Sequence, residues 1–285
     1  MKKAFVYLLL LLSLNLSFGE NVYLDKNRYY TGDIGKIKIK NFDKNAVYEL
    51  YIEDFKGNRE YIFPILYKTS FFGIDRRFKD RYAYLYLVKN EKIIFRKSIP
   101  IIKKKYRVSR IWFKPKKRKV NKEKLKRILA RIKRERIILR KTLSRYTYKL
   151  FREKYFHKPL KVLRISTPFG ALRILNGKRK YIHWGVDFRG RWGTPIYASL
   201  SGKVVLARNF YLTGNTVVIN HGLGIYTLYA HLSKISVKEG QFVKAGKMIG
   251  RVGSTGRSTG PHLHFGIYIN GIRVDPILAF RMRLD

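Results

Sequence analysis

The 285-residue chain contains no cysteine. That excludes disulfides, thiolate metal ligands and a lipid-bearing cysteine behind a leader. Acidic residues are scarce: 18 Asp and Glu stand against 63 Lys and Arg, a formal charge of +45. Such a balance predicts attraction to polyanions such as nucleic acid, anionic lipid or acidic wall polymers, and does not choose among them. Long apolar runs are also missing. The run Ala4 to Leu16 falls short of the ~20 residues that a membrane span needs. Histidine is rare, at six residues, and four of them fall into one pattern.

Lys2-Lys3, the apolar run and the small residues of Ser17-Phe18-Gly19 read together as a secretory signal peptide over 1–19, cleaved after Gly19. Export to the periplasm or cell envelope argues against nucleic acid as the polyanion. The length predicts two domains, and 46% hydrophobic residues suffice for packed cores. Residues 20–103 alternate as strands do. Tyr48, Leu50 and Ile52 interleave with Glu49, Tyr51 and Glu53, Lys56-Gly57-Asn58 marks a turn, and Lys89 to Lys92 divides a hairpin. A small antiparallel sandwich is expected, with Tyr48, Tyr82, Tyr84 and Tyr86 in its core and cross-strand pairs.

Residues 104–160 read as a basic linker and helix. Lys114 to Lys119 is a proline-containing basic run. From the N-cap candidate Asn121, a stripe of Leu125, Ile128, Leu129, Ile132, Leu139, Leu143, Tyr146 and Leu150 predicts a helix to about Phe156, stopped by Pro159. The stripe is interrupted at Glu135-Arg136. Its apolar side is expected to pack on a β domain or another chain. Its Lys and Arg faces are expected to meet anionic envelope polymers or lipid head groups. Residues 161–285 return to strands and glycine turns, with Val204–Ala207, Thr216–Ile219 and Ile225–Tyr229 as strands.

The chemistry concentrates at Ser254 to Phe265, where His262 and His264 follow a glycine-rich loop and open a strand-like run. Residues i and i+2 of a strand share a face, roughly 6.6–6.8 Å apart. Upstream stands His183-Trp-Gly-Val-Asp187. His183, Asp187 and His264 would give zinc two imidazoles and a carboxylate, leaving a position open for water. His262 and His231 would remain as bases beside it. Each short motif is weak alone; the ordered set is specific.

That ordered set, His183…Asp187, Ala230-His231-Leu232 and His262-Leu263-His264, resembles the lysostaphin/LytM-type zinc metallopeptidases over about residues 160–280. Phe169-Gly170, Asn176-Gly177, Gly193-Thr-Pro195 and Gly256…Gly260-Pro261 extend the likeness. Gly266 departs from it, where many members carry Glu. The resemblance implies a mainly β protein: an immunoglobulin-like sandwich over 20–103, the basic helical connector over 104–160, and an antiparallel β peptidase domain with an open groove over 161–285. It implies an exported zinc endopeptidase acting on peptidoglycan cross-links or stem peptides. It implies His183, Asp187 and His264 as zinc ligands and His231 and His262 as the catalytic pair of base and oxyanion stabiliser. Tyr181 is a further candidate donor or groove wall. Arg173 and Asn176 are candidates for lining the groove, Asn176-Gly177 equally for a turn. His221 is expected to make a structural hydrogen bond, and His157 to lie on the surface. A non-catalytic wall-binding or amidase-activating protein, and a peptidase of glycine-rich secreted proteins, are the competing readings.

Overall fold

The computed structural model describes residues 22–57, 59–111, 121–177 and 179–285. The expected leader over 1–19 and the basic run 114–119 lie outside the described residues. Strands dominate, and two helices occur among the described residues.

The amino-terminal part builds two sheets. Strand Tyr48–Glu53 shows strict in–out alternation, with Tyr48, Leu50 and Ile52 buried. It lies between Arg59–Pro64 and Tyr82–Lys89 in a five-stranded sheet that continues through Lys92–Ile102 to Tyr29–Tyr30. A three-stranded sheet of Val22–Leu24, Ile34–Ile39 and Thr69–Gly73 supplies Ile37, Ile39, Phe71 and Phe72 to the same core. The expected hairpin turns at Asn90-Glu91, whose φ values of 45° and 67° suit a tight turn. One expectation needs correction. Tyr48 is in the core, but Tyr82, Tyr84 and Tyr86 occupy the outward face of their strand. Inward places go to Ala83, Leu85 and Leu87, and the Arg96 guanidinium lies over the rings of Tyr84 and Tyr86.

The connector also differs from expectation. Helix α1 spans Lys122–Leu143 and starts where predicted, with Asn121 Oδ1 accepting from Lys124 N at 3.0 Å. It stops at Ser144 rather than near Phe156. The following segment is captured by the hairpin turn around Gly222, because its backbone finds partners there. Leu223 N donates to Thr147 O at 2.8 Å, Leu150 N donates to His221 O at 2.9 Å, and the Tyr226 hydroxyl donates to Arg145 O. Phe151 and Phe156 then enter the core. A Cβ on Gly222 would stand 1.9 Å from Tyr148 O, so glycine permits this close approach. Only the end of the apolar stripe is covered: Leu139 and Leu143 pack on Leu206, Val218, Tyr226 and Leu228. Leu125 and Leu129 remain exposed.

Before α1, a strand Val108–Ile111 pairs in parallel with Leu172–Leu175 and joins the two halves of the chain. Arg76 Nε donates to Gly170 O at 2.8 Å, its guanidinium lies 4.3 Å from the Tyr106 ring centroid, and Lys104 meets Asp275 at 2.6 Å.

The carboxy-terminal part is a ten-stranded sheet that runs Ile165–Thr167, Val186–Arg189, His262–Ile269, Ile225–Ile235, Gly214–Gly222, Gly202–Phe210 and Phe242–Val243 along its main path. Val186–Arg189 and His262–Ile269 pair antiparallel, Val186 with Phe265 and Phe188 with Leu263. These four side chains are fully buried on one face. Each such burial stabilises by roughly 1.5–3 kcal/mol. The alternate residues therefore project from the other face, held by a rigid floor.

Candidate metal centre

The residues projecting from that floor are Asp187 opposite His264 and Arg189 opposite His262. Strand pairing thus brings together side chains from two distant segments. His183 arrives just ahead of its strand, fixed by Gly170 N donating to His183 O at 2.8 Å and His183 N donating to Ala171 O at 2.9 Å.

Three donor atoms meet. Asp187 Oδ1 lies 2.9 Å from His183 Nε2 and 2.9 Å from His264 Nδ1, and those two nitrogens are 3.0 Å apart. His183 Nδ1 stands 3.0 Å from the Pro168 carbonyl, which can only accept. The neutral ring therefore carries its proton on Nδ1 and turns the Nε2 lone pair toward the cluster. No proton placement satisfies all three donors as well as one divalent cation does. Tetrahedral zinc with bonds of ~2.0–2.1 Å would hold such atoms only slightly farther apart. The residues present therefore fit the metal. Burial alone would raise the Asp187 carboxyl, but the neighbouring His183 and His264 rings outweigh it and hold it well below the carboxylate range. Burial lowers the His264 imidazole. The Arg173 guanidinium lies 3.5 Å from Asp187 Oδ2 and donates to Thr167 Oγ1 at 2.9 Å.

The other two histidines share a different arrangement. His231 Nδ1 donates to Thr255 O at 2.8 Å, and His262 Nδ1 donates to Gly260 O at 2.8 Å. Each neutral ring therefore leaves Nε2 with its lone pair free to accept a proton. The two ring centroids are 4.7 Å apart, and His262 Nε2 is 3.7 Å from Asp187 Oδ1. Burial pushes His231 down to about 4, against the opposing effect of the Thr255 carbonyl. His231 has φ 64°, unusual for a residue with a side chain. It follows Ala230, the last residue of its strand paired with His262–Ile269, and its own N–H turns to Thr213 O at 2.8 Å. The local irregularity re-aims the ring.

Tyr181 lies opposite Arg173 in the hairpin Leu172–Leu175/Arg179–Ile182, with the Arg257 guanidinium 5.6 Å from its ring centroid. Asn176-Gly177 forms the turn of that hairpin, with φ values of 47° and 68°. His221 is buried away from the site, bonded to Ser201 O at 3.0 Å and Thr227 Oγ1 at 2.8 Å. His157 is exposed. Gly266 lies on the face of His264, two residues beyond it, where a Cβ would meet only ordinary contacts at 3.6 Å or more.

Sequence reasoning missed Gly185. A Cβ there would stand 2.5 Å from Phe265 O and 2.8 Å from His264 Nε2. Its position inside the His183–Asp187 segment was the available signal. The orienting carbonyls of Pro168, Thr255 and Gly260 carry no sequence signal, because any residue supplies one.

Comparison with known proteins agrees with this geometry. The model of Peptidase family M23 matches residues 181–276. A DD-carboxypeptidase/endopeptidase Mpg of Neisseria meningitidis serogroup B is 48% identical over 122 residues, 42% of this chain and 28% of that protein. Peptidoglycan DD-endopeptidase ShyA of Vibrio cholerae is 48% identical over 117 residues, 41% of this chain and 27% of its own. Lysostaphin of Staphylococcus staphylolyticus is 50% identical over 91 residues, 31% of this chain and 19% of its own. The chain thus spans less than a third of the length of these relatives. A crystal structure of a Pseudomonas aeruginosa protein, described as a candidate peptidase M23, superposes with TM-score 0.65 at 27% identity, covering 90% of this chain and 96% of that one. Residues 181–276 thus match Peptidase family M23, and the matching segment follows the two amino-terminal sheets of the chain.

Proposed function

We propose that the chain is an exported zinc metalloendopeptidase that hydrolyses peptide bonds of peptidoglycan cross-links or stem peptides in the periplasm or cell envelope. His183, Asp187 and His264 are its metal ligands, and His231 and His262 its catalytic pair. The domain division over 20–103, 104–160 and 161–285 belongs to the same reading. The observation that carries it is the convergence of three lone-pair donors at 2.9–3.0 Å beside two histidines whose Nδ1 atoms are anchored on carbonyls. A non-catalytic wall-binding protein would have no use for that complete set. The relatives named DD-endopeptidase support the substrate class.

When bound, zinc lowers the pKa of a coordinated water toward ~7 and polarises a carbonyl. The chain's own residues do the rest. One of the pair, His231 or His262, accepts the proton of the attacking water at Nε2. The C–N bond breaks, and that proton passes to the departing amine. The other ring, protonated at Nε2, donates to the oxyanion and stabilises it. The floor strand beneath His262, and the Thr213 and Thr255 carbonyls at His231, keep both imidazoles in position during the step.

The exposed Lys and Arg of α1, with Leu125 and Leu129 beside them, suit anionic envelope polymers or lipid head groups. Isolated envelopes test both parts of the reading. Incubation with the zinc-loaded chain is expected to release new amino groups and no new reducing sugar ends. The co-sedimenting fraction of protein is expected to fall as salt rises, since exposed attraction is screened over ~8 Å at physiological ionic strength. Cut glycan, or a wall left unchanged, would contradict the activity. Salt-independent binding would contradict the basic-face partner.

A further inference from the structure

The floor of the site continues past His262 into a second, basic cavity. Arg189 faces His262 across paired strands and shares the face of Asp187 and His264. It stands one side-chain step, roughly 6.6–6.8 Å, along the strand from Asp187. There it lines a cavity of about 790 Å³ together with Lys161, Arg164 and Arg191. Pro261, the residue before His262, lines the same cavity, so the cavity reaches to within one residue of His262.

The cavity contains four cations and no Asp or Glu. Among the described residues none of the four has a carboxylate partner. Elsewhere this chain does pair its cations where acids are at hand, as Arg208 with Glu239 and Lys104 with Asp275. Four positive charges around one cavity repel one another unless an anion neutralises them. The walls are apolar: buried Leu160, exposed Val162, and the rings of Pro195 and Tyr197. This combination fits a side chain with an aliphatic stem and a carboxylate end. The stem would lie on the apolar walls, and the guanidinium forks would take the carboxylate two-pronged.

We infer that this cavity is a carboxylate-binding subsite of the catalytic groove, which takes an acidic residue adjoining the bond that is cut. The inference rests on the hydrolase reading above and narrows its substrate to acidic peptides. It assigns Lys161, Arg164, Arg189 and Arg191 a role in specificity, outside the metal centre and its histidines.

The test compares two dye-labelled peptides of one sequence, carrying either Glu or Gln at the acidic positions. Binding to the full zinc-loaded chain is read by anisotropy, and cleavage by mass spectrometry on the same samples. The acidic peptide is expected to bind roughly tenfold tighter, since three or four exposed pairs each contribute a few-fold. A Lys161→Gln, Arg164→Gln, Arg191→Gln variant is expected to lose most of that preference. A charge-matched variant on α1, Lys122→Gln, Lys126→Gln, Lys133→Gln, is expected to keep it. Equal loss in both variants would reduce the effect to net charge and overturn the subsite. So would equal binding of the two peptides, or displacement of the acidic peptide by inorganic phosphate more readily than by free glutamate. Selective binding without cleavage would uphold the subsite and sink the hydrolase reading. Cleavage of both peptides with equal affinity would do the reverse.

Discussion

At the scale of single residues, the site depends on what is small or left-handed as much as on what binds. Gly185 leaves 2.8 Å between a notional Cβ and His264 Nε2, so no larger residue fits without shifting a metal-donor ring. Gly185→Ala is therefore expected to weaken zinc binding by about 10–100-fold, the range seen when a ligand's support is disturbed. Chelator competition checks this, and wild-type affinity in the variant would contradict it. That His183, Asp187, His231, His262 and His264 would meet at one place was legible in the sequence, because their spacing and order form one specific set. Gly185 was not read, since a glycine between two ligands looks like any turn residue. The φ of 64° at His231 was invisible too: it arises from Thr213 O and the neighbouring strands, not from the tripeptide Ala230-His231-Leu232.

At the scale of elements, α1 is a support as well as a basic surface. Glu135, which interrupts the apolar stripe, accepts from Tyr211 N at 2.8 Å and from Arg131 Nε at 2.7 Å. The loop it holds carries Thr213 O, which fixes His231 N, and Leu212 O, which accepts from Arg257 N at 2.8 Å. Glu135 is thus linked through the loop to His231, one of the proposed catalytic pair, and is expected to act as a positioning residue. Glu135→Ala is expected to lower kcat severalfold to about tenfold with KM and zinc content unchanged, since small misplacements of catalytic groups are costly. Glu135→Gln, which keeps the acceptor, is expected to restore most of the rate. An unchanged kcat in Glu135→Ala, or no rescue by Gln, would contradict this role. The helix start was legible at Asn121, because an N-cap is a local device. Its end was not, because the stripe continues through Tyr146 and Leu150. Those residues leave the helix when Thr147 and Leu150 bond to the hairpin turn around Gly222, a tertiary competition that periodicity does not contain.

At the scale of the whole molecule, the two halves are joined by pairing between residues far apart in sequence. Val108–Ile111 sits in what reads as basic linker, yet it pairs with the hairpin that leads to His183. A short strand whose only partner is distant has no signature of its own. Stability also has a pH signature set in the core of the catalytic half. Burial pushes His221 down to about 4 in the fold, below its ordinary value near 6.5. The fold therefore excludes the protonated ring, while the unfolded chain binds a proton below ~6.5. His221's contribution is fully present above that pH and is lost as pH falls toward 4, by up to about 3 kcal/mol. Denaturant midpoints measured from pH 7 to pH 4 should fall, and His221→Gln should flatten part of the slope; identical slopes would contradict the assignment. The central claim is the division of labour among five side chains, and metal analysis of purified alanine variants tests it most directly. His183→Ala, Asp187→Ala and His264→Ala are expected to lose both zinc and peptidoglycan hydrolysis, whereas His231→Ala and His262→Ala lose hydrolysis and keep zinc. Full zinc in His264→Ala with zinc lost from His262→Ala would contradict the account.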